Sequence, residues 1–279
     1  ARILCKGPMY LQQLARIALK PLRIAFDHLG VEKPYAQAIR YSADAGLTEL
    51  SNYMLYNFND SPADLFERMR LNVTLNEELN IRIFSFPMRY QPVARPDRGH
   101  VGKNWNSYYL RSKQVILQAT HGIVSGAPEF FRKAFGDTYE EFENILLRPH
   151  HYIFNRYWYE QYDVRSEFDE FQATMRALSD DERTELLGFL CTRDKNDYAR
   201  DLNEVAAGKL REAARFFVPM SKVDEARIWE AQKRRRVEDI NAYLVPEDER
   251  VEDAGLTDED VQPSTNTKKQ LKDITQIYA

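Results

Sequence analysis

The run Leu47-Thr-Glu-Leu-Ser-Asn-Tyr-Met-Leu-Tyr-Asn-Phe-Asn-Asp-Ser-Pro-Ala-Asp-Leu65 constrains this chain more than any other stretch. Its first half is β-rich and reads as a strand ending at Phe58, polar Asn59 and Asp60 follow, and Ser61-Pro62-Ala63-Asp64 opens a helix. The Ser61 hydroxyl suits the free amides of a first helical turn. Pro62 suits the first helical position, where an N–H would go unbonded, and Asp64 sets a carboxylate at the positive end of the helix dipole. The same alternation lies on either side, with a short strand Leu22–Phe26 before it and a strand Ile81–Phe86 after it. Strands separated by helices at roughly 25–35 residues predict a parallel sheet. Ligands of such sheets bind at the carboxyl ends of the strands. Here those ends carry Asp27, His28, Asn57, Asn59, Ser85 and Arg89.

Helical spacing supplies the other layer. Leu11, Leu14, Ala15 and Ala18 share one face of a helix that begins near Met9 and stops before Lys20-Pro21. Tyr35, Ala38, Ile39 and Ser42 line a second helix, with Pro34 near its start and Gly46 past its end. Pro62 to Leu79 forms a third, presenting Leu65, Phe66, Met69, Val73 and Leu79 to the sheet. Beyond Pro87 the pattern changes: a polar loop from Gln91 to Lys103 leads into helices over Trp105–Ala119, Pro128–Phe135 and Tyr139–Leu147. An aromatic segment, His150 to Tyr162, precedes amphipathic helices over Glu167–Leu178 and Asp180–Leu190, the second opened by the capping-box spacing Ser179-Asp-Asp-Glu182. Two longer helices are expected over Tyr198–Phe217 and Asp224–Leu244, and the acidic, then Ser/Thr/Lys-rich remainder lacks the apolar content to order itself. The expected division is a barrel-like part over 1–92, a loop and helical extension over 93–165, a helical region over 166–245 and a disordered tail over 246–279.

Composition narrows the function classes. A net charge of −4 argues against bulk binding of nucleic acid, and no stretch approaches a membrane span or a secretory leader. Cys5 and Cys191 form no disulfide framework and no CxxC pair, which points to the cytoplasm. The chain begins at Ala1 and runs almost directly into a helix, leaving its first strand in need of a neighbour. The expectation is a fragment whose upstream half is missing.

The polar residues near the strand ends admit two readings each. Asp27-His28 could be an acid/base or ligand pair, or could shape the turn, since adjacent strand residues point to opposite faces. Asn52, inside a strand where Asn is unfavourable, asks for a hydrogen-bonded reason that a ligand or a neighbouring backbone group could supply. In the loop Asp97-Arg-Gly-His-Val-Gly-Lys-Asn-Trp105, basic groups beside glycine amides suit a phosphate or carboxylate, or serve an ordered surface loop. It lacks the phosphate-binding G-x-x-x-x-G-K-[ST] pattern. His150-His151 makes no metal site alone, because neighbouring helix positions diverge by about 100°. The ring-rich set Tyr152, Phe154, Tyr157, Trp158, Tyr159 and Tyr162 reads as packing, or as a base-stacking surface. Lys233-Arg-Arg-Arg236, with Glu230 and Glu238 nearby, reads as a solvated helix face.

Three runs carry a resemblance. Pro21-Leu-Arg-Ile-Ala-Phe-Asp-His28, Ala45 to Leu65, and Ile83-Phe-Ser-Phe-Pro-Met-Arg-Tyr90 resemble the later half of a radical S-adenosylmethionine protein. Gln118 to Gly126 and Leu146-Leu-Arg-Pro-His-His151 resemble the downstream region of one subgroup. The resemblance spans about residues 1–160 and implies an α/β fold, a partial, open TIM-type barrel followed by a mostly α-helical extension. The defining CxxxCxxC, which binds a [4Fe–4S] cluster, is absent from this chain, and Cys5 matches no part of it. The resemblance implies that the cluster and the cofactor's amino-group site lie upstream. It places Asp27 and Asn57 near the ribose of S-adenosylmethionine, and Ser85 and Phe86 near its adenine. It also implies a flavodoxin or reductase as electron donor. Two other readings stand beside it: a non-catalytic α/β-helical binding module, and a metal-dependent barrel hydrolase using Asp27, His28 and another His.

Overall fold

The computed structural model describes residues 1–244 except 18, 95, 96, 98, 121, 157, 158, 160–164 and 206. The chain divides into two compact units, Ala1–Val218 and Pro219–Ala279.

The first unit holds a parallel three-stranded sheet in the order β1 (Leu22–Arg23), β2 (Glu49–Tyr56), β3 (Arg82–Arg89). Helix α1 (Met9–Leu14) precedes it, and α2 (Glu32–Asp44) and α3 (Pro62–Leu79) connect its strands. The pairing of β1 continues past its formal end, because Ile24 and Phe26 donate their N–H groups to the carbonyls of Ser51 and Tyr53. β2 is shorter than its β-rich run predicts: Asn57 adopts a left-handed φ of 69° and turns the chain off the ladder. β3 is longer, running past Pro87 to Arg89.

Helix α3 starts at Pro62 as its sequence requires. The Ser61 hydroxyl accepts from the Asp64 N–H, and the Asp64 carboxylate accepts from the Ser61 N–H at 2.7 Å, a reciprocal cap. Period-two alternation divides the sheet into two faces. Leu50, Asn52, Met54 and Tyr56 of β2 and Ile83 and Ser85 of β3 are buried under α2 and α3. On the other face Tyr53 is 41% exposed and Met88 51%, with Leu55, Phe84 and Phe86 half-buried between them.

The helical part comprises α4 (Ser107–Ala119), α5 (Pro128–Phe135), α6 (Tyr139–Leu146), α7 (His150–Phe154), α8 (Arg165–Arg176), α9 (Asp180–Thr192), α10 (Tyr198–Asp201) and α11 (Lys209–Arg215). Phe66 of α3 meets Phe131 and Phe142 with ring centroids 5.7 and 5.6 Å apart, which fastens α5 and α6 onto the sheet layer. A second aromatic cluster joins Tyr152, Tyr159, Phe168, Phe171 and Phe217. Each such side chain stabilises by roughly 1.5–3 kcal/mol on burial. Tyr152 and Tyr159 are therefore core, whereas Tyr157, Trp158 and Tyr162 lie outside the described residues.

The continuous helix expected over Tyr198–Phe217 is instead two short helices with a 3-10 turn after the first. Gly208, at φ 108°, occupies backbone space that side chains disfavour and begins the second helix afresh. In the second unit, the described structure is α12 (Lys222–Leu244), where Lys233 pairs with Glu230 at 3.0 Å and both lie exposed, a solvated helix face. The tail over 246–279 lies outside the described residues.

Candidate functional site at the strand carboxyl ends

One buried arginine organises the carboxyl edge of the sheet. Arg68, wholly enclosed, donates Nη1 to the carbonyls of Phe26, Asp27 and Leu55 at 3.1, 2.9 and 2.8 Å. Its Nη2 meets Asp60 Oδ2 at 2.7 Å, and Nε donates to the Asp64 carbonyl. Asp60 in turn accepts from the Phe58 N–H and from the Trp105 indole. Burial raises the Asp60 pKa and lowers that of Arg68. Desolvation thus outweighs mutual attraction in both partners, and the pair fixes geometry more than it adds stability.

Arg68 belongs to a row. Asn72 and Asn76 follow it at four-residue steps on the buried face of α3. Asn72 Nδ2 donates to Ser85 Oγ at 2.8 Å, and its Oδ1 accepts from the Tyr35 hydroxyl. That hydroxyl accepts from Asn52 Nδ2, so a tyrosine from α2 takes the donor half of the amide within β2, while its buried Oδ1 has no hydrogen-bond partner. Asn76 takes the Ile83 N–H at 2.7 Å and donates to the Gly126 carbonyl. None of these three α3 residues was singled out from sequence. The available signal was a polar residue at every fourth position inside an apolar stripe.

The sequence-predicted site residues fall in different places. Asp27 lies exposed beyond β1, where Oδ1 accepts the Leu55 N–H at 3.1 Å and Oδ2 has no donor among the described residues. With Ala25, His28, Val31 and residues 1–4 it lines a groove of about 640 Å³. Asn57 is buried, and its amide is spent on backbone. Nδ2 donates to the carbonyls of Tyr90 and His100 at 3.1 Å each, and Oδ1 takes the Gly102 N–H at 2.7 Å. Ser85 stands opposite Asn52, well before the end of β3, and its hydroxyl points into the helix layer. Its neighbour Phe86 projects to the open face, where it meets Tyr53 at 5.7 Å between ring centroids. Asp27 and Asn57 thus share the carboxyl edge, Phe86 lies on the open face, and Ser85 joins neither.

The loop after β3 is anchored against this edge. Arg89 Nη2 donates to the His100 carbonyl at 2.8 Å, and Tyr90 packs between Phe58 and His100. Gly102 sits so close to Asn57 that a Cβ there would lie 2.8 Å from its carbonyl oxygen. Arg95 and Arg98 of this loop lie outside the described residues. Burial raises the Tyr56 hydroxyl to about 12 even though Arg89 opposes the shift, so Tyr56 stays protonated and structural. Chemically, the edge offers one free carboxylate oxygen on Asp27 beside a groove, and the open face offers an aromatic wall at Tyr53 and Phe86.

Among the described residues no group of three or more His, Cys, Asp or Glu side chains could hold a metal ion, so Asp27 and His28 acquire no third ligand. No described helix is long and apolar enough to cross a membrane. Comparison with protein-family models, curated proteins and solved structures yields no match to this chain.

Proposed function

We propose that this chain forms the later strands and cofactor wall of a radical S-adenosylmethionine enzyme, with the sheet serving as part of an open TIM-type barrel. The observation that carries the reading is the one-sidedness of the sheet. Parallel strands in chain order are roofed by α2 and α3, while the opposite face leaves Tyr53, Phe86 and Met88 partly in solvent. A barrel wall has this form, with helices outside and side chains inside. Its two edges differ in a way that supports the same reading. On β3, Asn76 binds the Ile83 N–H, Val124 pairs with Ser85 in both directions, and Pro87 has no N–H to offer. On β1, the outward backbone groups of Arg23 and Ala25 have no partner among the described residues. The unpaired groups of β1 make that edge the better place for further strands of a barrel.

The residues fit S-adenosylmethionine in part. Asp27 would take a ribose hydroxyl through its free oxygen, and Phe86 with Tyr53 would offer a flat face to the adenine. Asn57 acts one step removed, holding the loop over the strand ends, and Ser85 holds α3. When bound and reduced by a [4Fe–4S] cluster, the cofactor supplies a 5′-deoxyadenosyl radical. This chain's residues bind, orient and exclude water. A flavodoxin or reductase would be the electron donor. The test is anaerobic reconstitution with iron and sulfide of a longer polypeptide carrying the preceding coding sequence. Cluster absorbance and release of 5′-deoxyadenosine, lost or reduced at least tenfold in Asp27→Ala, are expected. A longer polypeptide that folds but takes up no cluster sinks the proposal. One observation favours a binding module without chemistry: Asn57 and Ser85 are both consumed by internal bonds. Uptake of S-adenosylmethionine without cleavage would select that reading.

A further inference from the structure

The segment from Gly122 to Gly136 lies along the outer edge of β3. Val124 exchanges backbone hydrogen bonds with Ser85, at 2.9 and 3.0 Å. Gly126 sits against Asn76 so tightly that a Cβ would fall 1.8 Å from its amide nitrogen. α5 then seats Phe131 against Phe66, and Phe135 against Phe142 at 6.0 Å. The segment begins and ends at glycines of left-handed backbone, Gly122 at φ 79° and Gly136 at φ 85°. These give it two joints.

Its far end rests on an unusual group. Lys113 of α4 is wholly buried, its amine has no hydrogen-bond partner, and it lies 4.6 Å from the centroid of the Phe135 ring. The charged groups of the surrounding elements are engaged elsewhere. On α5, Glu129 pairs with Lys133 and Arg132 with Asp137, all at the surface. On α6, Glu143 accepts from the Tyr139 hydroxyl, and the two face Tyr109 of α4. On α7, His150 stacks on Tyr108 and His151 packs against Tyr152 and Tyr159. On α3, Arg68 is committed to Asp60. An ammonium at this position would keep only the ring face as compensation for lost water.

We propose that Gly122–Gly136 is a strap over the β3 edge and that Lys113 is its proton-sensitive latch: a neutral amine leaves Phe135 seated, and protonation releases α5 together with the Ser85–Val124 pair. Burial lowers the Lys113 pKa from 10.5 to about 7, and no charged neighbour offsets it. The seated state therefore disfavours the proton that the released state binds readily. Opening must grow as pH falls from 10.5 and level off below about 7, where both states carry the proton. Sensitivity is greatest in the mildly alkaline range.

Amide hydrogen exchange on the whole chain, corrected for the intrinsic pH dependence of exchange, reads this directly. Opening at Ser85 and Val124 is expected to rise close to tenfold as pH is lowered from 9 to 8, and to flatten below 7. Met54, in the middle strand, gauges global unfolding and should open far less often. Lys113→Met should abolish the slope. A slope that survives in Lys113→Met, no slope in the native chain, or Val124 exchanging in step with Met54 throughout would each overturn the proposal. If Lys113→Met does not fold, the carbon chemical shift beside the Lys113 amine decides: a midpoint near 7 supports the latch, and one near 10 removes it.

Discussion

At the scale of single residues, Arg68 does what no backbone group in the sheet can do. Three strand-end carbonyls converge on one guanidinium nitrogen, and a planar, permanently charged fork is the side chain that can satisfy them while holding Asp60. Deleting it leaves a buried carboxylate without its cation and three carbonyls without their donor. Arg68→Met is expected to destabilise the fold by about 3–5 kcal/mol, and the double variant Arg68→Met/Asp60→Leu to recover a large part of that loss. Urea unfolding of the single and double variants checks both. A double variant as unstable as the single would show that the carbonyls, not the ion pair, dominate. Asn57 is the second case. In sequence it looked like a ligand group at a strand end, but its left-handed backbone and three backbone bonds make it the peg on which the next loop hangs.

At the scale of elements, α7 carries a built-in acid sensitivity. His150 and His151 are both held near pKa 4 by burial, below their ordinary 6.5. The folded rings disfavour protons that the unfolded chain accepts. Their contribution to stability is therefore complete above about pH 6.5 and is lost as pH falls through that value toward 4. Each ring accounts for up to about 3 kcal/mol across this window. The urea midpoint should drop steeply between pH 7 and 4, and His150→Phe should flatten the drop by roughly half. An unchanged slope would assign the acid lability to other groups. The same scale shows what the sequence made legible. α3 was readable to its first residue, because cap, proline and acid all act locally. α5 and α6 were likewise readable to within one residue of their ends. The row Arg68, Asn72, Asn76 was not readable, since its reason lies across space in the strands and in Gly126. The break near Gly208 was not readable, because apolar residues at helical spacing continue through it.

At the scale of the whole molecule, the sheet is finished on one face and unfinished on the other. Met88, 51% exposed on the open face, contributes little to the core. Met88→Gln should change unfolding free energy by less than about 0.5 kcal/mol while visibly reducing binding of a hydrophobic dye. A loss of stability larger than 1–2 kcal/mol would mean that this face is already packed in solution. The α/β class, parallel order and helical extension were legible because they follow from patterning. Which strand-end side chains were free was not, because that depends on what the loops and helices do with them. The two edges of the sheet have a consequence for building with this chain. Asn76 and Val124 occupy the first half of the β3 edge and Pro87 has no N–H to offer, so a strand grafted into the Gln91–Lys103 loop would have to displace Val124 to pair along it. A β/α unit grafted ahead of Leu22 would meet open backbone groups at Arg23 and Ala25. The two edges thus differ as building sites: one presents free backbone groups, and the other already holds a short stretch of its own chain.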